Sequence, residues 1–448
     1  MPDSAAPPMS AAAYIREMRF DALPADVVAC AQRCLLDLVG VAAGGVSLPA
    51  ARICADMAVA HMGGSARQAR LLFDGRNAGI PGAALAGAAA IDVLDAHDGH
   101  VLTKGHAGAA VLPALLAFTD GRDCNGREFL TCLVVGYEIA TRAGIALHAT
   151  VPDFHSSGAW NALGCAAIGA RLLGLDDARI AQALGIAEYW GPRGQIMRVC
   201  ASPSMVKDGS SWGAHAGATA ALLAAAGFTG APAVTVDDVP DVWRDLGTRY
   251  RIREQYFKAY PVCRWAQPAI EGALALRREH GFAADDIASI AIESFREAVD
   301  LGSQCPAPST TDEAQYSLPY PVAAALVHGA VGTREIDAAG RDAPVNRLLP
   351  LIGLVEDHEF SRRFPAERWA RVRIRLRDGR TLVSSPAQAR GGPENPLSDA
   401  ELSEKFHALA APALGAARAA RIESLVRTLV DDERACDGLR NEILQPIH

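Results

Sequence analysis

Residues 81–113 read PGAALAGAAAIDVLDAHDGHVLTKGHAGAAVLP. From Pro81 to about Leu94 nearly every residue is small or apolar, and a helix that has no polar face is buried on all sides. A second apolar helix is predicted to begin near Ala109 and to run to Thr119. These two buried helices enclose a short segment, and the rest of the chain has to pack around them. The stretch therefore predicts a helical core.

The segment between the two helices is dense in ionisable groups. Residues 92–106 hold three carboxylates, three imidazoles and one lysine, namely Asp92, Asp95, Asp98, His97, His100, His106 and Lys104. Asp92 and Asp95 are three residues apart, so they share one face at the end of the first helix. Imidazole titrates near neutral pH, carboxylates tune its pKa, and an ammonium group binds an anion. The cluster indicates acid–base chemistry on a small acidic molecule, and the alternative interpretation is a solvated loop.

Length and composition are typical of a helix-rich globular protein with two domains. The chain has 448 residues, which exceeds one ordinary core, and half of them are apolar. The net charge is −8, and the Lys and Arg residues are dispersed along the chain. This distribution excludes a nucleic-acid footprint and is compatible with a local cationic pocket.

The sequence shows no targeting segment and no cysteine motif. The N-terminal residues lack the basic and then apolar layout of a signal peptide, and polar residues interrupt the apolar runs. We therefore expect a cytoplasmic protein without a membrane partner. None of the ten cysteines forms a C-x-x-C pair, so the sequence predicts neither a zinc ribbon nor an iron–sulfur cluster.

The remaining chain predicts helices first and strands later. Apolar periodicity predicts further helices over 23–44, 126–147, 157–173, 177–190 and 211–226. The polar run 234–253 is predicted to be a partly extended connector. Alternating residues then predict strands over 289–295 and 371–376, with a helix over 321–331 between them and further helices from Ser398.

This order of elements predicts a mainly α fold, with a large all-helical domain and a smaller inserted α+β lid domain. The expected boundaries are 1–255 for the first part of the helical domain, 256–395 for the lid domain and 396–448 for C-terminal helices. The apolar stripe of these last helices needs a partner, so they are expected to complete the helical domain.

A competing motif lies at residues 209–213, where Gly-Ser-Ser-Trp-Gly matches the G-x-S-x-G pattern of hydrolases. A nucleophile elbow requires a strand before the serine and a doubly wound sheet around it. Pro203 and an irregular stretch precede this motif instead. A hydrolase would also require Ser211 to lie within hydrogen-bond reach of a histidine.

Several motifs occur in an order that resembles one known family. They are Gly105-His106-Ala107-Gly108-Ala109-Ala110-Val111-Leu112-Pro113, Phe154-His155, Phe228-Thr229-Gly230, Tyr260-Pro261-x-Cys263-Arg264 and Gly392-Pro393-Glu394-Asn395-Pro396. Over nearly its whole length the chain is similar to the MmgE/PrpD family. That family contains 2-methylcitrate dehydratase, cis-aconitate decarboxylase and iminodisuccinate epimerase.

The resemblance implies a homodimer with a cofactor-free and metal-free site, in a cleft that binds a small anionic carboxylate. The catalytic residues that it implies are Asp92, His106, His155, Lys207 and Tyr320, and the substrate-binding residues are Lys258, Arg264, His97 and Lys104. In this hypothesis His106 or His155 moves the proton, Asp92 orients that imidazole, and Tyr320 donates a proton from the lid domain. Lys207, Lys258 and Arg264 hold carboxylates.

The chain departs from the family pattern at three positions, which are Ala96, Ser210 and Gln267. A threonine, a histidine paired with Lys207, and a second histidine are usual at these places. The function predicted first is a hydro-lyase that resembles 2-methylcitrate dehydratase. The alternatives are a decarboxylase or an epimerase of a related di- or tricarboxylate, and a binding protein without activity, which would be favoured if Asp92, His106 and Lys207 did not converge.

Overall fold

The computed structural model describes residues 9–64 and 67–447, and over this range the fold is mainly α. The helices before residue 250 are α1 (Ala11–Glu17), α2 (Ala25–Gly45), α3 (Pro49–His61), α4 (Ile80–Asp92), α5 (Gly108–Thr119), α6 (Gly126–Thr150), α7 (Gly158–Leu172), α8 (Asp177–Trp190), α9 (Ile196–Ala201), α10 (Ser210–Ala225), α11 (Val234–Asp237) and α12 (Pro240–Trp243). Two short antiparallel ladders accompany them, β1 (Gln68–Arg70) with β2 (Asn77–Gly79) and β3 (Gly99–His100) with β4 (Gln255–Tyr256).

The second half contains a mixed sheet and then the last helices. Its helices are α13 (Gln267–His280), α14 (Arg296–Gly302), α15 (Thr311–Tyr316), α16 (Pro319–His328), α17 (Thr333–Asp337), α18 (Ala343–Leu348), α19 (His358–Arg363), α20 (Asp399–Leu414), α21 (Ala416–Arg427) and α22 (Ala435–Ile443). Its strands are β5 (Ile287–Ser294), β6 (Ile352–Glu356), β7 (Trp369–Leu376), β8 (Thr381–Val383) and β9 (Ala387–Gln388). β5 pairs in parallel with β6 and antiparallel with β7, which also pairs with β8 and β9.

Small residues let the central helices pack at short range. Helix α4 is buried over its whole length, as its lack of a polar face predicts. A Cβ at Gly87 would lie 2.9 Å from Pro113 of α5, and a Cβ at Gly217 of α10 would overlap the Ala162 carbonyl of α7. These helices can approach so closely only because side chains are missing at the crossings.

The core residues form two large clusters. One contains residues from the range 11–257 and from 397–444, so the C-terminal helices share a core with the N-terminal ones. The other contains residues from 260 to 382 and packs the sheet against α13 and α16. We call the first group the helical part and residues 260–382 the α+β part. The exact boundaries 1–255, 256–395 and 396–448, and movement of the α+β part as a lid, remain predictions.

The predicted helices agree with the observed ones to within a few residues at most ends. The run 234–253, in contrast, does not have the predicted structure. It contains α11, α12 and a 3₁₀ turn over Arg251–Glu254, where a partly extended connector was predicted. The backbone N–H groups of Val234 and Thr235 each donate to the Glu188 carboxylate of α8, at 2.8 Å. This cap comes from a distant helix, so the local sequence does not reveal it.

Two helices, Ala25–Gly45 and Gly126–Thr150, have the length and the hydropathy of a membrane span. The sequence analysis expected no such run. Within the protein, 67% and 94% of their most apolar windows are buried. Packing of these two helices in the protein core accounts for their apolar composition.

Lys405 of α20 ties the C-terminal helices to the polar segment after α4. Its ammonium group donates one hydrogen bond to the Asp37 carboxylate of α2 and another to the Ala96 carbonyl oxygen, which is 2.7 Å from Lys405 Nζ. Asp37 is almost wholly buried, and burial raises its pKa, although Lys405 opposes the shift. The pair therefore fixes the backbone of the polar segment from behind.

We predict that Lys405→Met lowers the free energy of unfolding by about 3–5 kcal/mol, because it leaves the Asp37 charge buried without a partner. Urea denaturation followed by circular dichroism measures this loss. Adding Asp37→Asn to Lys405→Met removes the orphaned charge and should restore part of the stability. An unchanged midpoint in the single variant would contradict a structural role for the pair.

Asp98 is a second buried carboxylate in this region. Its Oδ2 accepts a 2.5 Å hydrogen bond from the Tyr137 hydroxyl of α6, and burial raises the pKa of Asp98 to about 7. Between pH 4 and 7 the folded state therefore binds more protons at this group than the unfolded state does. Stability falls as the pH rises through that window.

We predict that Asp98→Asn removes this dependence. Relative to the wild type, the variant should gain about 2–3 kcal/mol in unfolding free energy between pH 5 and pH 8. Urea denaturation at both pH values measures the change, and Asp378→Asn, which alters a fully exposed carboxylate, serves as the control. A constant offset between wild type and Asp98→Asn at all pH values would refute the raised pKa.

Candidate active site

The candidate site is built from the segment between α4 and α5. In the ladder of β3 and β4, Gly99 pairs with Tyr256. This ladder holds the segment against the residues that lead into the α+β part. A Cβ at Gly99 would lie 2.5 Å from the Tyr256 hydroxyl and 2.8 Å from His106 Nδ1. Only glycine allows Tyr256 and His106 to approach the segment this closely.

Strained backbone marks the same region. Among the described residues the non-glycine positions with positive φ are Phe73, Asp95, Lys104 and Lys207. Asp95 and Lys104 belong to the polar segment itself, and Lys207 directly precedes Asp208 of the site. A side chain held in the left-handed region costs of order 1 kcal/mol or more and persists where the surrounding structure requires it. The strain is therefore concentrated around the candidate site.

His106 is held at both ring nitrogens. Nδ1 contacts the Asp98 carbonyl oxygen, and Nε2 lies 3.1 Å from Asp208 Oδ2. A carbonyl accepts only, so Nδ1 donates to it and Nε2 is left to face Asp208. Burial and then Lys258 lower the pKa of His106, while burial raises the pKa of Asp208. These opposite shifts bring the two pKa values together, so the pair is suited to sharing one proton.

A second pair of ionisable groups lies behind His106. The His97 ring is fully buried, its centroid is 4.1 Å from that of His106, and its Nε2 is 3.5 Å from Asp92 Oδ1. Burial, followed by the Asp208 charge, raises the pKa of Asp92 well above its ordinary value, and burial lowers the pKa of His97. Burial therefore favours the neutral form of both groups.

Lys258 neutralises the third carboxylate. Its ammonium group donates to the Asp95 carboxylate and lies 3.0 Å from the Asp95 carbonyl oxygen. Burial by itself lowers the pKa of Lys258, and the Asp95 charge outweighs it, so the net shift is upward. Lys258 is therefore a firmly charged cation beside His106.

Three further cations form a wall on the other side. Arg264 stacks on the Tyr256 ring at 4.6 Å and donates to neutral acceptors, among them the Ala389 carbonyl at 3.2 Å. Burial lowers the pKa of Arg264 to about 10; burial and then Arg368 lower that of Lys104 to about 8. Burial also lowers the pKa of Arg368. Within the described residues the wall of Lys104, Arg264 and Arg368 forms no direct ion pair, and the Glu394 charge only partly opposes the downward pKa shifts of the two arginines.

These groups enclose a cavity, called the inner cavity here, with about 70 Å³ open to the centres of water molecules. A cavity of this volume can hold roughly five water molecules, so it is large enough for a small molecule. Its ionisable lining comprises Asp95, Asp208, His106, Lys104, Lys258, Arg264 and Arg368. Its apolar lining includes Phe154, Ile196, Met197, Trp265, Leu301 and the ring of Tyr316.

Four of the predicted residues line this cavity, namely His106, Lys258, Arg264 and Lys104. Asp92 and His97 lie behind them. The partner of the His106 imidazole is Asp208 and not Asp92, which contacts His97 and accepts from the Ser210 N–H at 3.2 Å. The geometry therefore does not support the prediction that Asp92 orients or tunes His106, because the Asp92 carboxylate contacts His97 instead.

His155, Lys207 and Tyr320 do not line the inner cavity, although the Lys207 ammonium is 5.9 Å from the centroid of the Tyr316 ring, which does. His155 is directed at Asp153, 3.3 Å away, and at the Arg193 carbonyl oxygen. The Lys207 ammonium binds Asp312, at 2.5 Å, and Gln315 of α15. Tyr320 is buried in the core of the α+β part, and its hydroxyl donates to the Glu335 carbonyl. Because of these partners, the catalytic roles given to the three residues stay predictions that the geometry does not support.

The sequence analysis did not select Asp95, Asp208, Tyr256 or Arg368. Asp95 stood in the polar cluster, and Asp208 followed Lys207 directly, so both could have been found from their neighbours. Tyr256 and Arg368 lie in unremarkable sequence just before Phe257 and at the start of β7. Only tertiary packing brings them to the cavity.

The three departures from the family pattern have structural partners. The Gln267 amide donates to the Tyr260 and Val262 carbonyls, and its oxygen accepts from Arg264. Ser210 binds Asp92 through its backbone N–H, and the Ala96 carbonyl accepts from Lys405. These positions therefore support the site, and none of the three lines the inner cavity.

Two groups of side chains have donor atoms close enough to hold a metal ion. They are Asp95, His97 and His106, and Asp92, His97 and Asp208, with donor atoms within 4.8 Å of one another in each group. The Lys258 ammonium already neutralises Asp95, and His106 and Asp208 form a pair suited to sharing a proton. A divalent ion would have to displace both. The donor set therefore fits protons and an ammonium group better than a metal.

Ser211 does not form the hydrolase site that the G-x-S-x-G motif suggested. Ser211 lies in the first turn of α10, after a turn and not after a strand. Within 9–64 and 67–447 it has no hydrogen bond to a histidine. The hydrolase interpretation is therefore dropped.

Comparison with known proteins identifies the family of this chain. Residues 10–239 match the MmgE/PrpD N-terminal domain, and residues 260–431 match the MmgE/PrpD C-terminal domain. The chain is 26% identical, over 466 aligned positions and 93% of each chain, to the cis-aconitate decarboxylase-like protein oryM of Aspergillus oryzae. Since the two domains together span most of the chain, in the expected order, the protein belongs to the MmgE/PrpD family.

Proposed function

We propose that this protein is a lyase that acts on a small polycarboxylate in the inner cavity and needs no cofactor. Its family and its relative support an enzyme of the dehydratase or decarboxylase type. One observation supports the proposal most directly. The pair of His106 and Asp208, suited to sharing a proton, faces a cavity whose wall carries the cations Lys104, Lys258 and Arg264.

Dehydration is the first candidate. With the proton of the pair on Asp208, the lone pair of His106 Nε2 takes the proton from the carbon next to a substrate carboxylate, and Lys258 stabilises the negative charge that develops on that carboxylate. The carbon–oxygen bond then breaks, the electron pair forms the double bond, and the same imidazolium returns its proton to the departing hydroxyl, which leaves as water. One proton carrier suffices for this syn elimination. A substrate similar to 2-methylcitrate fits the scheme.

Decarboxylation is the second candidate, and the apolar lining favours it. Phe154, Ile196 and Leu301 face the same cavity as His106. A carboxylate held against such surface loses its hydration, which promotes departure of carbon dioxide. The electron pair stays on the neighbouring carbon, and the His106 imidazolium protonates it. The printed name of the Aspergillus relative also supports this candidate.

Epimerisation has less support. It requires proton carriers on opposite faces of one carbon. Among the described residues, His106 is the one histidine that lines the inner cavity. A homodimer and a cytoplasmic location also remain parts of the proposal.

We predict that the purified protein converts at least one member of a panel in deuterated water, followed by proton NMR. The panel contains 2-methylcitrate, citrate, cis-aconitate and iminodisuccinate. A new alkene signal from a hydroxy acid indicates dehydration. Loss of a carboxylate with deuterium at the adjacent carbon indicates decarboxylation, and deuterium exchange alone indicates epimerisation.

His106→Ala should lower kcat by about 10²- to 10⁴-fold, because it removes the proton carrier. Asp208→Asn should lower it by about 10²-fold, since it removes the shared proton. The control is His280→Ala, which alters a histidine at the exposed end of α13. Turnover by His106→Ala at the wild-type rate would refute the mechanism, and ligand binding without turnover by the wild type would favour a binding protein.

Lys104 supplies a pH test. Its pKa of about 8 implies that the ammonium group loses its charge as the pH rises through 8, so binding of an anion weakens there. We therefore predict that KM rises above pH 8 in the wild type. In Lys104→Arg the rise should move upward by at least one pH unit, because a guanidinium stays charged. Plots of kcat/KM against pH for the wild type and for Lys104→Arg measure this shift. If the two plots fall at the same alkaline pH, Lys104 does not bind the substrate.

A further inference from the structure

Arg368 differs from the other cations of the site in lacking a partner. Its Nε atom is buried without a hydrogen-bond acceptor, and its guanidinium makes no ion pair with any residue in the described ranges. By contrast, Lys258 binds Asp95, and Arg264 donates to backbone carbonyls. Arg368 is half-buried, and a buried N–H donor without an acceptor is costly unless a ligand supplies one.

Arg368 also lies on a wall between two cavities. The inner cavity adjoins an outer cavity of about 340 Å³, and Tyr256, Arg264 and Arg368 line both. Glu367 and Glu394 line only the outer cavity. The acidic groups repel an anion on that side, and the arginines attract it, so the favoured position for a carboxylate is at the shared wall.

The backbone position of Arg368 suits this task. It directly precedes β7, the strand that pairs with three others in the sheet of the α+β part. Its guanidinium carbon is 6.0 Å from the centroid of the Phe364 ring. Arg368 is therefore mounted on a rigid element of the α+β part, whereas the helical part supplies His106.

We propose that Arg368 binds the substrate carboxylate that is remote from His106, and that it thereby selects polycarboxylates over monocarboxylates. This inference rests on the proposed function, because it assigns a second carboxylate of the same substrate. A guanidinium fork binds a carboxylate through two parallel hydrogen bonds, which an ammonium group cannot reproduce. Arg264 and Lys104 add charge, and Arg368 supplies the free donors.

The test measures binding of propane-1,2,3-tricarboxylate, which has no hydroxyl group to eliminate, by isothermal titration calorimetry. We expect Arg368→Gln to weaken binding about 10- to 100-fold, and Arg368→Lys to weaken it less. The control is Arg375→Gln, which alters an exposed arginine on the same strand. Thermal melting of all variants checks that they are folded.

The ratio of the affinities for the tricarboxylate and for a monocarboxylate is a readout that would not change if Arg368 had only a structural role. Butyrate, which has one carboxylate, should bind Arg368→Gln and the wild type equally, or be undetectable with both. The proposal is overturned if Arg368→Gln binds the tricarboxylate within twofold of the wild type, if both acids lose affinity in parallel, or if the wild type binds the tricarboxylate no more tightly than butyrate.

The two proposals fail in different ways. If no panel substrate reacts and Arg368→Gln still loses the tricarboxylate, the lyase function is wrong and the carboxylate site stands. If substrates react and Arg368→Gln keeps the wild-type KM, the carboxylate site is wrong and the lyase function stands.

Discussion

Three buried carboxylates lie together where α4 ends, and the site depends on how each of them is neutralised. Lys258 compensates Asp95, the His106 imidazole faces Asp208, and burial raises the pKa of Asp92 and so favours its protonated form. Burying an uncompensated carboxylate costs several kcal/mol, so none of these solutions is optional. The same solutions leave a pair suited to sharing one proton and one cation fixed beside it, which is what acid–base chemistry on an anion needs.

The same constraint joins the two parts of the molecule. Lys258 follows β4 and reaches back to Asp95, while Lys207 of the helical part reaches Asp312 and Gln315 of α15. Gln315 in turn donates to the Val93 and Leu94 carbonyls at the end of α4. Lys207, predicted to be catalytic, therefore acts as a tie between the helical part and the α+β part. Its position near the site follows from that tie.

Charge is distributed unevenly around the inner cavity. The helical part contributes the proton carrier and its carboxylate, and the residues after β4 contribute Lys258, Arg264 and Arg368. Under the proposed function, these cations attract a substrate with several carboxylates and present its reacting carbon to His106. We propose that the position of the remote carboxylate then decides which bond faces the imidazole.

The sequence by itself determined the mainly α class, the buried helix over 81–94, the alternating strands and the dense polar cluster that contains His106. Helical and strand periodicities are local properties, and a helix without a polar face has only one stable environment. The sequence also indicated Lys258 and Arg264 through the family motif. Tertiary structure alone decided that Asp208 rather than Asp92 meets His106, that Tyr320 lies in a core, and that Arg368 reaches the cavity. Those outcomes depend on which side chains from distant segments share one buried volume, and the periodicity of a single segment contains no information about that.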